Sequence, residues 1–307
     1  MWTRSKFYQE YVPGLFAVMV DSYRQMRARS MWEKAVTVKT SGKMKEENTL
    51  RSGLGLPTEK GEGAPISYDS QIAGPLKTWV PKVWALGVRV TEEAIEDHLS
   101  ELNGGGAGVL SDISKDLGIS LAENIEVEVA KFLVSGTATT YHMDRFSKAL
   151  FSTTQARLDS STYSNYGTSS DLTYDTFWAA VVAAENQLDH RQLRVRKDVT
   201  RLWVPPQMEK KAIEILQSTD RPDTGNRAIN ALKASGRKID LAVWSYLTDA
   251  DAWYLQLDGD GIIFFWRRKT RFAREADFQT GDMMLKGDQR FSVEINDPMS
   301  FYGNIPA

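Results

Sequence analysis

The chain carries three histidines, and imidazole groups commonly serve as general bases and as metal ligands. His98, His142 and His190 lie far apart in the sequence, and none stands in an HxxxH or HExxH pattern. Their spacing does not predict a catalytic or zinc site, and positions on helix surfaces explain them better. The chain has no cysteine, which excludes disulfides, thiolate catalysis and cysteine-ligated metals, and fits a reducing compartment.

Four aspartates that lie close together in the sequence could bind calcium. They are Asp249, Asp251, Asp258 and Asp260. The turn that begins at Asp258 departs from the EF-hand loop, which needs a glycine at its sixth position and a glutamate at its twelfth. A hairpin turn and a helix cap therefore explain these carboxylates better than a metal site does.

The glycine-rich segment Gly104–Gly108 resembles a phosphate-binding loop only at first sight. It lacks the following Gly-Lys-Ser/Thr and comes after a predicted helix rather than a strand, so a linker between helices is the favoured interpretation. The carboxylate pairs Glu92/Glu96 and Glu46/Glu47 fall at positions expected to be solvated, and no Gly-x-Ser-x-Gly pattern occurs. The sequence thus predicts no catalytic, cofactor-binding or metal site, and a protein that is not an enzyme.

Composition is ordinary for a globular protein of 307 residues, with 42% hydrophobic and 25% charged residues. The net charge of −2 argues against a dedicated nucleic-acid-binding protein. Residues 1–60 hold eleven basic and six acidic residues, so a charge of +5 there leaves −7 for the rest. Such asymmetry favours attraction between subunits, although a solvated basic arm explains it equally well. No apolar run approaches the ~20 residues of a membrane helix.

Apolar residues at steps of three or four predict several helices. The clearest is Val109–Val134, which would be about 40 Å long at ~1.5 Å per residue and suits a structural strut. The other predicted helices are Gly14–Arg29, Tyr174–Asp189, Gln207–Gln217 and Asn226–Ala234.

Strands are predicted where apolar and polar residues alternate. They are Val199–Val204, Lys238–Trp244, Arg290–Ile295, and a hairpin of Trp253–Leu257 with Ile262–Arg268. Because helices and strands mix without regular βαβ spacing, the predicted class is α+β.

The most informative segment is Glu62–Asp97, where a loop rich in Gly, Pro and Lys leads into a long extended run and then a helix start at Thr91. Alternation in the extended run predicts one well-buried face. The residues of that face are Val80, Trp84, Leu86, Val88 and Val90.

The tryptophans divide into two groups by context. Trp79 and Trp84 lie on the extended run and are expected to project toward a partner, because projecting aromatic residues often mark interfaces. Four others fall inside regular elements and are predicted to be core: Trp178, Trp203, Trp244 and Trp253.

Three patterns in this order give the chain a family resemblance. They are Gly63–Asp69 followed by Trp84–Glu93 and Asp97, then Val243–Leu255, then Asp297–Asn304. In these patterns the chain resembles the major capsid proteins of tailed bacteriophages, which have the Hong Kong 97-type fold. The resemblance spans nearly the whole chain.

The resemblance implies four parts. Residues 1–35 would be an N-terminal arm, and 36–90 an extended β-hairpin known as the E-loop. Residues 91–170 and 270–307 would form the peripheral (P) domain with its long spine helix. Residues 171–269 would form the axial (A) domain.

It also implies a structural protein that self-assembles, through hexamers and pentamers, into an icosahedral shell around double-stranded DNA bound without sequence specificity. The location would be the virion, with assembly in the host cytoplasm and no membrane or cofactor. Because the chain begins at the arm, scaffolding would come from a separate protein; a portal and decoration proteins are further expected partners.

Six residues are predicted contacts between subunits: Lys43, Lys45, Lys60, Tyr68, Trp79 and Trp84. Two alternatives stay open at this point. The first is an encapsulin-like nanocompartment shell that holds protein cargo, and the second is a soluble hydrolase with an unrecognised carboxylate pair.

Overall fold

The computed structural model describes residues 12–91, 93–94, 109–167, 170–222, 228–277 and 279–306. Two 3-10 turns, Pro206–Met208 and Pro298–Ser300, accompany the helices. The helices are α1 (Val12–Ala28), α2 (Trp32–Ala35), α3 (Val109–Val134), α4 (Tyr174–Glu185), α5 (Glu209–Gln217) and α6 (Ala231–Ala234).

Most strands belong to two four-stranded sheets. The first sheet has the order β1-β10-β11-β4, and the second has the order β12-β9-β7-β8. The strands are β1 (Thr37–Thr40), β2 (Glu46–Arg51), β3 (Ala73–Trp79), β4 (Lys82–Val90), β5 (Gln155–Ala156), β6 (Thr162–Tyr163), β7 (Val199–Val204), β8 (Asp240–Val243), β9 (Trp253–Leu257), β10 (Ile262–Ala276), β11 (Met283–Ile295) and β12 (Phe301–Asn304).

Pairing within the sheets is mixed. β1 runs parallel to β10 and β7 parallel to β8, whereas the other pairs in the two sheets are antiparallel. β2 pairs with β3, and β5 with β6, in separate two-stranded ladders. Helices and strands follow one another without a repeating βαβ order, which confirms the predicted α+β class.

The long helix α3 has the bounds that its periodicity predicts. Leu117, Leu121 and Ile125 on its apolar stripe are all buried. The helix packs on β11, where Gln289 Nε2 donates to the Leu121 carbonyl over 3.0 Å. Gly287 allows this close approach, because a Cβ there would lie 2.1 Å from Leu121 Cδ1.

A buried glutamate joins three parts of the chain at the middle of α3. Glu126 is 3% exposed. Its Oε1 accepts from the Met31 amide at 2.7 Å, and its Oε2 accepts from the Trp244 indole at 2.8 Å. Because a buried carboxylate needs donors, this residue fixes α2 and the end of β8 against α3.

The aromatic core predictions hold for three tryptophans. Trp203, Trp244 and Trp253 are at most 2% exposed, while Trp178 is only half-buried. At the predicted helix start, Thr91 Oγ1 accepts from the Ala94 amide at 3.3 Å, as an N-cap does. Three other predictions lie outside the described residues: the acids Glu92 and Glu96, His98, and the linker Gly104–Gly108.

The predicted hairpin of β9 with β10 is wrong. β9 has β7 on one side and β12 on the other, so neither of its edges is open to β10. The chain leaves the second sheet at Gly259, whose φ of 116° is accessible to glycine, and enters the first sheet at Ile262. Alternation along β9 and β10 could not reveal β12, because β12 follows some forty residues later.

The predicted buried face of the extended run is also largely wrong. Val90 is buried, but Trp84 and Val88 are half-buried, Leu86 is 46% exposed and Val80 is 60% exposed. β4 is an edge strand of the first sheet, and α3 packs chiefly against the neighbouring β11. An edge strand can therefore alternate in sequence without being covered along its length.

Candidate intersubunit surfaces

The two-stranded ladder β2–β3 and its connection form an extended loop, residues 46–79, with a loop tip at 52–72. Glu46 pairs with Trp79 and Thr49 with Leu76. This ladder occupies the middle of the segment predicted as the E-loop. The ends of that segment, β1 and β4, pair instead with β10 and β11 in the first sheet.

Arg191 holds the loop tip closed at its base. Its Nε lies 3.2 Å from Ser52 Oγ, its Nη1 lies 3.2 Å from Asp69 Oδ1, and its Nη2 donates to the Ser70 carbonyl. Asp69 Oδ2 in turn accepts from the Gly55 amide at 2.7 Å. The Ser70 amide donates to Asp69 Oδ1 at 2.8 Å, and the Gly55 and Ser70 amides, with Arg191 nearby, lower the pKa of the Asp69 carboxyl.

Beyond this closure the loop tip exposes large apolar side chains. Tyr68 is 90% exposed, Leu56 74%, Ile66 58% and Leu54 57%. Four such side chains on one short segment are unusual for a surface that stays in water. The loop tip therefore has the chemistry of a contact surface that is not used within the subunit.

The three lysines predicted as contacts lie on or beside this loop and are exposed. Lys43 Nζ lies 3.3 Å from Glu46, and Lys45 pairs with Glu47, so both already have carboxylate neighbours. Lys60 lies on the loop tip. The predicted contact role of these lysines and of Tyr68 stays a prediction.

Trp79 does not project, contrary to the sequence-based expectation. It is 1% exposed, and its ring meets Phe265 edge to face at 5.6 Å between centroids. The Trp79 side chain packs the end of β3 against the first sheet. Alternation along β3 alone could not reveal this partner, because Phe265 lies on the distant strand β10. Trp79 therefore has almost no free surface to offer a second subunit in this conformation.

Trp84 is less buried than Trp79 but is not fully exposed. It is half-buried and stacks on Phe291 at 5.9 Å between ring centroids. The remaining exposed part leaves the predicted contact role open for this residue.

An ionic cluster connects the extended loop to β11. Lys77 Nζ lies 3.0 Å from Glu294 Oε2 and donates to the Met143 carbonyl over 2.6 Å. His142 Nδ1 lies 3.8 Å from the same Glu294 oxygen. Burial acts to raise the pKa of Glu294, but His142 and the Lys77 ammonium lower it overall.

The other candidate chemical groups stay apart. His142 stacks on Phe132, and His190 lies in a different part of the fold, where burial lowers its pKa. Asp260 accepts hydrogen bonds from Thr37 and Lys39. Among the described residues no three His, Asp or Glu side chains form a group able to hold a metal ion. None of the helices described is long and apolar enough to span a membrane.

Residues 76–304, most of the chain, match the family model for phage capsid proteins. The chain belongs to the phage capsid protein family. No curated protein sequence matches it significantly.

Solved capsid structures share the fold of this capsid protein at low sequence identity. The capsid of cyanophage P-SCSP1u has a TM-score of 0.54 and 11% identity, with 91% of this chain and 88% of that chain covered. The capsid of the Myoviridae phage XM1 has a TM-score of 0.53 and 8% identity, with 88% and 90% covered. A virus-like particle from Pyrococcus furiosus has a TM-score of 0.53 and 13% identity, with 96% and 99% covered.

These findings confirm the Hong Kong 97-type capsid fold and the identification as a structural major capsid protein. A capsid protein self-associates into a shell and belongs to the virion. The family is structural, which favours a role without catalysis.

Proposed function

We propose that this capsid protein assembles through hexamers and pentamers into an icosahedral shell around double-stranded DNA, and that the extended loop reaches across a neighbouring subunit. The observation that carries this proposal is the apolar loop tip. Leu54, Leu56, Ile66 and Tyr68 are all more than half exposed, and a second subunit is the partner that shell formation supplies.

Burial of the loop tip against a neighbouring subunit would contribute substantially to the free energy of assembly. Fully burying one large apolar side chain stabilises a complex by about 1.5–3 kcal/mol, so burying the exposed parts of these four side chains contributes about 4–8 kcal/mol per loop. Each subunit both gives and receives such a contact in a closed shell. Many moderate contacts therefore sum to a stable particle.

The remaining partners follow from the same proposal. The net charge of −2 suits DNA that is enclosed without sequence-specific contacts. A separate scaffolding protein and a portal would act during assembly in the host cytoplasm, and decoration proteins are further candidates. We keep residues 1–35 as the arm, 36–90 as the E-loop, 91–170 with 270–307 as the P domain, and 171–269 as the A domain.

Electron microscopy and light scattering of the purified protein test the proposal. We expect closed shells from the unmodified chain. The double variant Leu56→Ser/Tyr68→Ser should lower shell yield by about tenfold or more, because it removes apolar area that only assembly buries. Val182→Ser, on the exposed side of α4, is the matched control and should assemble normally. An unmodified chain that stays monomeric even when it is co-expressed with its scaffolding protein would contradict shell formation.

The contents of purified shells separate the two shell functions. We expect packaged DNA when the protein is expressed with its phage partners. Shells that enclose a specific protein and no DNA under those conditions would support the encapsulin-like alternative instead.

A further inference from the structure

Three short turns of the chain have the same backbone geometry. We call them the first, second and third turns, and they span residues 144–148, 157–161 and 189–193. In each turn, the amide of the first residue donates to the carbonyl of the fifth over 2.7–2.9 Å, and the amide of the fourth donates to the carbonyl of the first over 3.2 Å. Two hydrogen bonds therefore close each turn, and the chain reverses within five residues.

The fourth residue of each turn has a backbone conformation that side chains rarely adopt. Ser147, Ser160 and Gln192 have φ angles of 59°, 67° and 61°, and in the described part of the chain no other residue except glycine has a positive φ. This conformation is unfavourable for a residue other than glycine and persists only where surrounding contacts enforce it. Backbone strain of this kind is common at sites that clamp another group.

An aspartate fixes each turn. In the first and third turns it is the first residue, Asp144 or Asp189, whose Oδ1 accepts from the amides of the third and fifth residues at 2.7–2.9 Å. In the second turn it is the third residue, Asp159, which accepts from the amide of the fifth at 3.0 Å. Gln192 Nε2 joins the third turn to the second by donating to Asp159 Oδ2 and Ser161 Oγ, both at 2.7 Å. The turns are thus held by bonds within and between themselves.

The three turns contact the extended loop one after another along its returning half. In the first turn, Arg145 Nη1 lies 3.5 Å from the Pro75 carbonyl. In the second, Leu158 lies so close to Gly74 that a Cβ there would be 2.4 Å from Leu158 Cδ2. In the third, Arg191 makes the contacts described above at the base of the loop tip. We call the three turns together the cradle.

The extended loop has little internal support. Its strands β2 and β3 form a two-stranded ladder separate from both four-stranded sheets, and such a hairpin alone is at best marginally stable in water. Leu76 is 54% exposed and Ile72 37%, so the ladder buries little apolar area of its own. Trp79 anchors its inner end. Order farther out must come from other contacts, and the cradle supplies them within the subunit.

We propose that the cradle orders the base of the extended loop in the free subunit, before a neighbour is contacted. Arg191 is the main positioning residue, because its guanidinium joins Ser52 on the outgoing side of the loop to Asp69 and Ser70 on the returning side. The entropy of ordering the base is then lost when the subunit folds, which strengthens the later contact of the loop tip. This consequence for assembly rests on the proposed shell function.

Hydrogen exchange of the separate subunits, followed by mass spectrometry, measures the order of residues 69–76. We expect exchange there to be at least about tenfold slower than in an unstructured peptide of the same sequence. Arg191→Ala should speed this exchange by about tenfold or more and leave β11 unchanged. Arg194→Ala, which removes an exposed guanidinium bonded to the Asn186 carbonyl, is the matched control and should change neither segment.

Two results of this measurement would overturn the proposal. The first is exchange of residues 69–76 in the unmodified subunit that is as fast as in the unstructured peptide, because the loop base would then need a neighbour for its order. The second is equal exchange in Arg191→Ala and the unmodified subunit, because Arg191 would then have no positioning role.

A pair of substitutions at Gln192 tests the strained turn itself. Gln192→Gly and Gln192→Val both remove the hydrogen bonds to Asp159 and Ser161, but a φ of 61° is accessible to glycine and strongly unfavourable for valine. The valine variant should therefore speed exchange of residues 69–76 by about threefold or more relative to the glycine variant. Equal exchange in the two variants would contradict the role of the turn geometry.

The effect on assembly is measured as the subunit concentration at which half of the chain forms shells, in the presence of the scaffolding protein. Arg191→Ala should raise this concentration by about tenfold, whereas Arg194→Ala should leave it unchanged. A loosened loop in Arg191→Ala with an unchanged assembly concentration would overturn the role of the cradle in assembly. Failure of the unmodified chain to form shells would instead contradict the proposed function, because exchange in the separate subunit does not depend on shells.

Discussion

Substitution of Trp79 is the sharpest test of whether this residue belongs to the core of the subunit or to a contact between subunits. The side chain is 1% exposed and packs edge to face on Phe265 across the junction between the extended loop and the first sheet. Its indole nitrogen is buried without a hydrogen-bond partner among the described residues. We expect Trp79→Ala to destabilise the folded subunit, not merely its assembly.

The expected loss in the free energy of unfolding follows from the burial of Trp79. Replacing a buried tryptophan by alanine removes the packing of its ring and leaves a cavity, which costs about 3–5 kcal/mol. That is a large fraction of the ~5–15 kcal/mol that stabilises a typical domain. Trp79→Phe is the matched control, because it keeps an aromatic ring beside Phe265 and removes the unpaired indole N–H. We expect it to change the free energy of unfolding by less than about 1.5 kcal/mol.

Urea unfolding, followed by circular dichroism at subunit concentrations below those that form shells, measures both free energies. The reasoning predicts a lower unfolding midpoint for the alanine variant and a nearly unchanged one for the phenylalanine variant. An alanine variant with an unchanged free energy of unfolding that nevertheless fails to assemble would refute the core role. Trp79 would then be the intersubunit contact that its sequence context suggests.

Two further predictions concern polar groups, the half-buried Glu294 and the buried Asn165. Because the pKa of Glu294 is lowered, its contribution to stability is present above the ordinary value of 4.5 and is lost as pH falls through the folded value. Melting temperatures from pH 7 to 3 should therefore fall more steeply for the unmodified chain than for Glu294→Gln. Asn165 donates to the carbonyls of Leu150, Pro298 and Phe301 and accepts from the Ser152 amide. Asn165→Leu should lower the free energy of unfolding by about 2–4 kcal/mol, measured by urea unfolding.

Controls for these two predictions come from the same chain. Parallel pH profiles for the unmodified chain and Glu294→Gln would show that the ionic cluster with Lys77 does not contribute. Asn48→Leu replaces an exposed asparagine that makes a hydrogen bond to Asn296, and should change stability by less than about 0.5 kcal/mol. Equal effects of Asn48→Leu and Asn165→Leu would contradict the role assigned to Asn165.

The sequence predicted elements whose pattern is local. The helix Val109–Val134 has the predicted bounds, because its apolar stripe repeats over seven turns and no other period fits. The strand Val199–Val204 and the core positions of Trp203 and Trp244 were predicted for the same reason. The family resemblance also followed from short patterns that keep their order along the chain.

Contacts between distant segments could not be predicted in this way. Asn165 has no distinguishing neighbours in sequence, yet its amide joins residues near 150 to the C-terminal strand β12. In the sequence Glu126 cannot be distinguished from an ordinary glutamate on a helix. Only the fold places the Met31 amide and the Trp244 indole within hydrogen-bond distance of its carboxylate. The only available signal was its position on or near the apolar stripe of α3.

Residue types and their local spacing were enough to predict the type of each long element and membership of a capsid family. They also showed that no recognisable catalytic pattern is present. Tertiary structure alone decided which surfaces are free. Alternation says that a strand has two faces, but burial depends on what packs there: β10 covers Trp79, while β4 lies at an edge and exposes Leu86.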